Sequence, residues 1–316
     1  MTPQCRSKTA TSRQEAAIKA RPYRSYVHVL HTIPEEIEPL KARTRAARGG
    51  FFRGHNKREA QIELCEQASL VVGIGPRIFA QIPIGQSDAS HELIPGLNPE
   101  LLGLSITRAR QASCLLTGRM EDADLKGLRT AARAISNLRT SRSSVMDDSA
   151  PSLVVRGLDT IYGEDELREA GLGQQQRGGW LRPRPYSENA ADIYGDIQTS
   201  TLVLMPSLSE GFGLAGYEAI AAGVPVLMSE DSGLADLMKY AEKNSLIDAG
   251  FAEACIVASG GNEQVIQGKW ADQIRALHAD LDAAFNRAAA VRTRMRSHFT
   301  WSNAARELVA KLEILE

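Results

Sequence analysis

The stretch that most constrains the fold of this chain is residues 201–229 (TLVLMPSLSEGFGLAGYEAIAAGVPVLMS). An apolar run at 202–205, without helical spacing, stops at Pro206, and a second such run at 225–228 follows Gly223. Short apolar runs between breakers are typical of parallel strands that are buried on both faces. Because one helix is predicted between the two strands, the stretch indicates an α/β fold.

The start of that helix, residues 209–214 (SEGFGL), carries the functional signal. Its two glycines lie where the chain must turn sharply from the strand end into the helix, which leaves amide N–H groups free to face a ligand. Such a helix end attracts phosphate. Glu210 on the turn and Glu218 in the helix supply carboxylates that can accept hydrogen bonds from a polyol. The combination favours a nucleotide sugar; the alternative is a βαβ turn whose glycines serve chain geometry alone.

Glu210 and Glu218, with seven residues between them, lie in a segment that resembles a family signature. Residues 206–226 (PSLSEGFGLAGYEAIAAGVPV) resemble the E-x7-E signature of the retaining GT-B glycosyltransferases of family 4. The resemblance implies two Rossmann-like domains, with Glu218 on the ribose hydroxyls of the donor and Glu210 on the transferred sugar as a catalytic residue. It also places the backbone of the turn at the donor diphosphate, namely Gly211, Phe212, Gly213 and Leu214.

Two cations upstream match the same family. The strand-like run at 113–117 ends in Gly118-Arg119, and Lys126-Gly127 begins seven residues after the arginine. In the family, an arginine and a lysine at these places face the diphosphate, where fixed cations stabilise the charge of the departing nucleoside diphosphate. Without the resemblance, a solvated surface role would be the better interpretation. Within it, Arg119 and Lys126 are predicted to bind the donor.

The N-terminal part resembles only the second half of the first domain of this family. A short β-type run at 26–30 (YVHVL) ends at His31-Thr32, a helix is predicted over 57–68, and a strand at 69–74 follows. By resemblance, His31 contacts the donor sugar across the cleft as a second catalytic residue. A histidine after a strand can equally be structural.

The missing first half leaves three explanations open: a fragment, a truncated gene, or a partner chain that supplies the absent strands. We expect a ragged or disordered leader over 1–25, whose composition is also compatible with an organelle transit peptide. A partial acceptor-side Rossmann-like domain and its linker are expected over 26–109. A complete nucleotide-sugar domain is expected over 110–298. The resemblance implies a terminal helix over 299–316 that crosses back to the first domain.

The remaining segments predict secondary structure only. Strands are predicted at 152–155 and 255–258, helices at 128–138, 164–170, 187–194 and from 232 onward, and a helical tail over 270–315 with a break near 299–301. A solvated loop is predicted over 174–185. The arginines of that loop could also bind phosphate or border the nucleobase, namely Arg177, Arg182 and Arg184.

Composition excludes several classes of partner. The chain has 316 residues, of which 43% are hydrophobic and 24% charged, and a formal net charge of -1. It can bury a sizeable core, and it has no charge excess that would gather nucleic acid or an anionic membrane. No stretch approaches the length of a membrane span. The four cysteines lie far apart without metal-ligand spacing, so we expect reduced thiols in a cytoplasmic protein and no metal site.

The resemblance implies a retaining glycosyltransferase that moves a sugar from a UDP- or GDP-sugar to an unknown acceptor. We expect no cofactor and no metal, because Arg119, Lys126 and the turn amides can meet the charge of the leaving group. The alternative is a non-catalytic nucleotide-sugar sensor or scaffold derived from such an enzyme, which the short N-terminal part favours. A phosphorylase of related fold would need a lysine context for pyridoxal phosphate, which we do not identify.

Overall fold

The computed structural model describes residues 26–44, 50–83, 85, 89–106, 111–120, 123–140, 150–158, 167–168, 172 and 179–314. These residues form two parallel sheets, one of three strands and one of six. The predicted α/β fold class is therefore confirmed. The expected leader lies outside the described residues, as do Arg177 and most of the helix expected at 164–170.

The first sheet has the strand order β1 (Val27–Leu30), β2 (Leu70–Ile74) and β3 (Ser90–Leu93). Its helices are α1 (Pro34–Thr44), α2 (Gly50–Glu66) and the short α3 (Gly75–Phe79). A small apolar core lies between them and includes Leu30, Ile33, Cys65, Val71 and Ile78. The strands predicted at 26–30 and 69–74 are confirmed as β1 and β2.

Two features of this half differ from the expectation. Helix α2 begins at Gly50 rather than at residue 57. Its Gly54 packs so closely on α1 that an added Cβ would lie 3.1 Å from the carbonyl oxygen of Pro34. Glycine disfavours helix by its own propensity, but the packing of the two helices stabilises the first turns of α2. The sequence does not predict β3, whose largely polar sequence Ser-His-Glu-Leu forms a strand by pairing with β2.

The second sheet contains β4 (Ser113–Thr117), β5 (Ser152–Arg156), β6 (Leu181–Arg184), β7 (Leu202–Met205), β8 (Val226–Ser229) and β9 (Ile256–Val257). Their spatial order is β6-β5-β4-β7-β8-β9, and all pairs are parallel. This is the order of a doubly wound Rossmann-like sheet, in which the chain changes direction between β4 and β7. A crevice opens at the carboxyl ends of these two strands, where such folds bind ligands.

Helices cover both faces of the second sheet. After α4 (Pro99–Leu102) in the linker, they are α5 (Leu128–Thr140), α6 (Ala190–Gln198), α7 (Leu214–Ala222), α8 (Gly233–Lys243), α9 (Phe251–Cys255), α10 (Glu263–Ala279) and α11 (Leu281–His298). One more helix, α12 (Trp301–Glu313), follows α11. Leu116 and Leu204 face the layer of α5 and α10. Leu115 and Val203 face the opposite layer, which includes α7. Burial on both faces explains why these strands are apolar throughout.

The prediction of a solvated loop over 174–185 is wrong for residues 181–184. Leu181–Arg184 forms the edge strand β6, which pairs in parallel with β5. Trp180 and Leu181 are buried in the core. The polar sequence LRPR becomes a strand through pairing with a neighbour and through burial of its flanking aromatic residue, neither of which a local pattern shows.

The helical tail is divided at one more point than expected. Asp280 separates α10 from α11, because its carboxylate accepts from the amide of Ala283 and caps the second helix. Thr300 caps α12 in the same way, which confirms the break expected near 299–301. Helix α12 then lies against β3 of the first sheet. The strand expected at 255–258 is shortened to β9, because α9 extends through Cys255.

Candidate active site

The carboxyl ends of β4 and β7 carry most of the residues predicted to bind a ligand. Gly118 and Arg119 follow β4 directly, and Lys126 lies in the turns that lead to α5. Residues 206–213 connect β7 to α7 and include Glu210. Because β4 and β7 are paired in the sheet, motifs that are far apart in sequence meet at the crevice.

The amine of Lys126 and the carboxylate of Glu210 form the central contact of the site. Lys126 Nζ lies 2.6 Å from Glu210 Oε2, and the hydroxyl of the buried Ser207 donates to the same oxygen at 3.3 Å. The two charged side chains keep 28% and 21% of their surface exposed, so a ligand can reach both. An ammonium group has three N–H donors, and two remain for phosphate or sugar oxygens.

The backbone of Glu210 is fixed from the side of α8. Its amide donates to the carbonyl oxygen of Asp231 at 3.0 Å, and its own carbonyl accepts from the amide of Gly233 at 3.1 Å. An added Cβ at Gly233 would lie 2.1 Å from the carbonyl oxygen of Gly211, so this close approach requires glycine. The main chain of the glutamate is therefore held while its carboxylate contacts Lys126.

Gly127 fixes the position of Lys126. Its φ is +74°, and an added Cβ would lie 2.0 Å from the carbonyl oxygen of Pro206. Glycine alone combines this left-handed backbone with so close an approach. The amide of Leu208 also donates to the carbonyl of Leu125 at 2.9 Å. The lysine turn and the glutamate loop are thus joined through their main chains.

The turn before α7 presents an open helix N-terminus. Gly213 is the N-cap residue, with φ +103° and no side-chain cap. Within the ranges that the structure describes, no hydrogen bond engages the amides of Gly211, Phe212, Gly213 or Leu214. Free amides at the start of a helix can bind an anion. The ring of Phe212 is buried against Tyr217, with ring centroids 5.1 Å apart, so only its main chain can face a ligand.

Glu218 lies in the second turn of α7 and is partly buried. Burial raises the pKa of its carboxyl group. Among the described residues, no hydrogen bond or ion pair engages this carboxylate. A carboxylate that is partly desolvated without a partner needs hydrogen-bond donors, and the hydroxyls of a ligand can supply them.

His31 and Arg119 are both exposed, and neither has a hydrogen-bond partner in the part of the chain that is described. The carbonyl oxygen of His31 lies against the glycine turn, since an added Cβ at Gly211 would be 2.9 Å from it. We call the part built around the three-stranded sheet the first half of the molecule, and the part built around the six-stranded sheet the second half. The first half therefore contacts the glycine turn through His31. Arg119 is adjacent to Gly118, whose added Cβ would lie 3.6 Å from the side chain of Lys126.

Two polar clusters near this edge were not predicted. The buried Asp196 on α6 pairs with Arg156, at 2.5 Å between Oδ2 and Nε, and also with Arg184. Of the loop arginines, Arg184 is thus tied to a carboxylate, while Arg182 is exposed. The second cluster joins Ser209 to Glu36 across 173 positions of sequence. Contacts over such separations leave no local motif that could have indicated them.

Metal-ligating geometry is absent from the described residues, which contain no group of three or more His, Cys, Asp or Glu side chains placed to hold an ion. An Asp-x-Asp triplet nevertheless occurs at 122–124, between Arg119 and Lys126. Asp124 Oδ1 lies 3.7 Å from a guanidinium nitrogen of Arg129, and Asp122 lies outside the described residues. Independence from metal remains a prediction. No helix in the described ranges combines the length and apolarity needed to cross a bilayer.

Comparisons with known proteins agree on one class. The model of a family described as "Family 4 Glycosyltransferase in conflict systems" matches residues 9–308. The D-inositol 3-phosphate glycosyltransferase of Corynebacterium urealyticum is 30% identical over 146 residues, which are 46% of this chain and 29% of that protein. The match thus spans less than a third of the length of this curated relative.

Solved structures share the fold. Sucrose-phosphate synthase from Thermosynechococcus elongatus gives a TM-score of 0.66 at 18% identity, covering 95% of this chain and 70% of the other. HepE from Anabaena, solved in complex with UDP and glucose, gives 0.63 at 16% identity, with coverages of 94% and 73%. At these identities the likeness concerns the fold alone, and it confirms the predicted GT-B arrangement of two Rossmann-like domains.

Proposed function

Because the chain belongs to the family 4 glycosyltransferases in conflict systems, we propose that it transfers a sugar from a nucleoside diphosphate sugar, with retention of anomeric configuration. The observation that carries this proposal is the Lys126–Glu210 pair, which lies at the switch point of the second sheet next to the open N-terminus of α7. A charged pair of this kind offers a cation to a phosphate and a carboxylate to a sugar at the same place.

Each residue has a role in the proposed reaction. The free amides of Gly213 and Leu214, together with Arg119 and Lys126, bind the diphosphate, where the helix dipole adds a modest favourable term. Glu218 accepts hydrogen bonds from the ribose hydroxyls. Glu210 accepts them from the transferred sugar, and Lys126 holds that carboxylate in place. His31 contacts the sugar from the first half.

The chemical step breaks the bond between C1 of the sugar and the oxygen of the β-phosphate. The electron pair stays on that oxygen, and Arg119, Lys126 and the turn amides stabilise the charge that develops there. The acceptor hydroxyl bonds to C1 on the face that the diphosphate leaves. Its proton passes to the departing phosphate, so the reaction needs no separate base.

The relatives suggest which substrates to test first. HepE was solved with UDP and glucose, so UDP-glucose precedes GDP-sugars in a donor screen. The curated relatives act on a phosphorylated polyol according to their name, so inositol phosphates belong among the acceptors. We propose that no metal is required, and turnover that persists in excess EDTA would support this, whereas loss of turnover would implicate the Asp-x-Asp triplet.

Titration calorimetry with UDP, GDP and their glucose and mannose conjugates tests the proposal, with release of the free diphosphate monitored in parallel. We expect one nucleotide to bind in preference to the other and its sugar conjugate to be turned over. Proton NMR of the product anomeric signal tests retention. A protein that binds no nucleotide or nucleotide sugar contradicts the proposed function.

A second candidate is a nucleotide-sugar sensor or scaffold without turnover. The first sheet has only three strands in the described residues, which leaves a small acceptor-side surface. Tight binding of a nucleotide sugar without release of diphosphate, in any acceptor mixture, would favour the sensor over the enzyme.

A further inference from the structure

Glu36, in the first turn of α1, contacts two different elements through a single oxygen. Its Oε2 accepts a hydrogen bond from the hydroxyl of Ser209 at 2.6 Å. The same oxygen lies 3.0 Å from a guanidinium nitrogen of Arg77 on α3. Ser209 is buried and immediately precedes Glu210. Through this hydrogen bond, the first half of the molecule holds the loop that carries Glu210, the carboxylate proposed to bind the sugar.

Arg77 extends the contact to α8. Its other terminal nitrogen lies 3.8 Å from Oδ2 of Asp236, while its Nε is buried without a hydrogen-bond partner in the described structure. Asp236 belongs to the first turn of α8. The start of the same helix holds the backbone of Glu210 through Gly233. The guanidinium of Arg77 therefore connects the first half to both segments that hold Glu210. It contacts Ser209 through Glu36, and it contacts the start of α8 through Asp236.

The neighbouring acids of α1 behave differently. Glu35 pairs with Arg58 at 2.9 Å, and Glu38 pairs with Lys57 at 2.6 Å. Both partners lie on α2, so these pairs hold α1 within its own half. Glu36 alone among the three forms a hydrogen bond to the second half in the described structure. Its role is thus separable from the ordinary packing of α1.

We propose that Glu36 and Arg77 are positioning residues for Glu210, which make recognition of the donor sugar depend on the docking of the two halves. The inference rests on the proposed function. The residues assigned to the nucleotide are Glu218, Arg119, Lys126 and the amides of the turn, which all belong to the second half. In the described structure none of them forms a hydrogen bond or ion pair with Glu36, whose partners are Ser209 and Arg77. Nucleotide binding should therefore survive the loss of Glu36, whereas sugar recognition and transfer should not.

The test compares Glu36→Gln with Glu35→Gln, which removes the same charge one residue away. Calorimetry measures the dissociation constants of UDP and UDP-glucose, and kcat is measured with the same donor. If the protein binds GDP instead, GDP and its sugar conjugate replace them. For Glu36→Gln we expect UDP affinity within about twofold of wild type. The added affinity of the sugar conjugate should disappear, and kcat should fall roughly 10- to 100-fold. Glu35→Gln should match wild type in all three.

Arg77→Lys and Arg77→Met separate charge from geometry. A lysine keeps the charge but cannot reach both carboxylates as a guanidinium fork does, so we expect it to restore only part of the kcat that Arg77→Met loses. If Glu36→Gln lowers the thermal midpoint of the protein, Ser209→Ala is the alternative variant, because it removes only the hydroxyl that donates to Glu36. It should reproduce the selective loss of sugar affinity.

Equal effects of Glu35→Gln and Glu36→Gln would overturn the inference, as would a parallel loss of UDP and UDP-glucose affinity. Either result, obtained with an active wild-type protein, leaves the proposed function intact. A wild-type protein that binds no nucleotide contradicts the proposed function itself, so the two failures are distinguishable.

Discussion

Lys126 Nζ and Glu210 Oε2 lie 2.6 Å apart although 84 positions separate the two residues in sequence. The contact exists because β7 returns to pair with β4 in the second sheet. By resemblance to the family, the lysine is predicted to bind the diphosphate and the glutamate the transferred sugar. The structure joins them in one charged pair, so neither side chain can change without altering the other.

Lys126→Met and Glu210→Gln are expected to act non-additively. Loss of the lysine leaves a partly buried carboxylate without its cation, which is costly, while loss of the glutamate frees the amine. In kcat/KM we expect a coupling energy of about 1–3 kcal/mol in a double-mutant cycle. Lys57→Met is the control and should leave kcat/KM unchanged. Lys57 and Glu38 form an ion pair of the same 2.6 Å length, but this pair lies between α1 and α2. Additive single effects would contradict the pairing.

Glu218→Gln should weaken binding of the nucleotide. A neutral amide replaces the charged acceptor proposed for the ribose hydroxyls, and hydrogen bonds to charged groups contribute about 1.5–3 kcal/mol. We therefore expect UDP or GDP to bind roughly 10- to 150-fold more weakly by calorimetry. Glu253→Gln on the exposed face of α9 is the control. An unchanged nucleotide affinity would remove Glu218 from the site.

The same substitution has an opposite effect on stability. Burial raises the pKa of Glu218 above its usual 4.5, so the folded protein binds this proton more tightly than the unfolded chain does. The folded state is therefore destabilised as pH rises from about 4.5 through the raised pKa. Glu218→Gln should raise Tm near neutral pH, where each kcal/mol corresponds to roughly 2–4 °C. The gain should vanish in acid, and a lower Tm at neutral pH would be inconsistent with this account.

Arg119→Ala should affect diphosphates and leave nucleosides unchanged. The exposed guanidinium has no hydrogen-bond partner within the described residues, so it is available to phosphate oxygens. We expect UDP binding to weaken by about 1.5–3 kcal/mol while uridine binding stays the same. Arg296→Ala, at an exposed position of α11, is the matched control. Equal losses for UDP and uridine would rule out a role on the diphosphate.

Gly127→Ala should destabilise the fold and displace Lys126. The left-handed backbone and the approach of the Pro206 carbonyl oxygen to 2.0 Å from an added Cβ both oppose a side chain. We expect a loss of roughly 2 kcal/mol or more in the free energy of unfolding, measured in urea. Gly268→Ala in α10 meets no neighbour within 4 Å and should instead stabilise by about 0.5–1 kcal/mol. Equal outcomes for the two variants would exclude the steric argument.

The sequence predicts strands β4 and β7 and the glycine turn between β7 and α7 correctly because their signals are local, whereas the roles of Glu210 and Glu218 stay predictions. Apolar runs indicate β4 and β7, and the SEGFGL segment indicates the start of α7. Predictions fail where a neighbour in space decides the outcome. Strand β6 depends on pairing with β5, and the first turns of α2 depend on Gly54 packing against α1.

What the sequence by itself determined is which elements form and which short motifs accompany them, because periodicity, breakers and turn residues act over a few positions. Only the tertiary structure decided that Lys126 meets Glu210 and that Glu36 and Arg77 hold Ser209 and α8. Those contacts depend on strand order and on the docking of two halves. Residues at such separations share no local pattern, so their charges become partners only when the chain is folded.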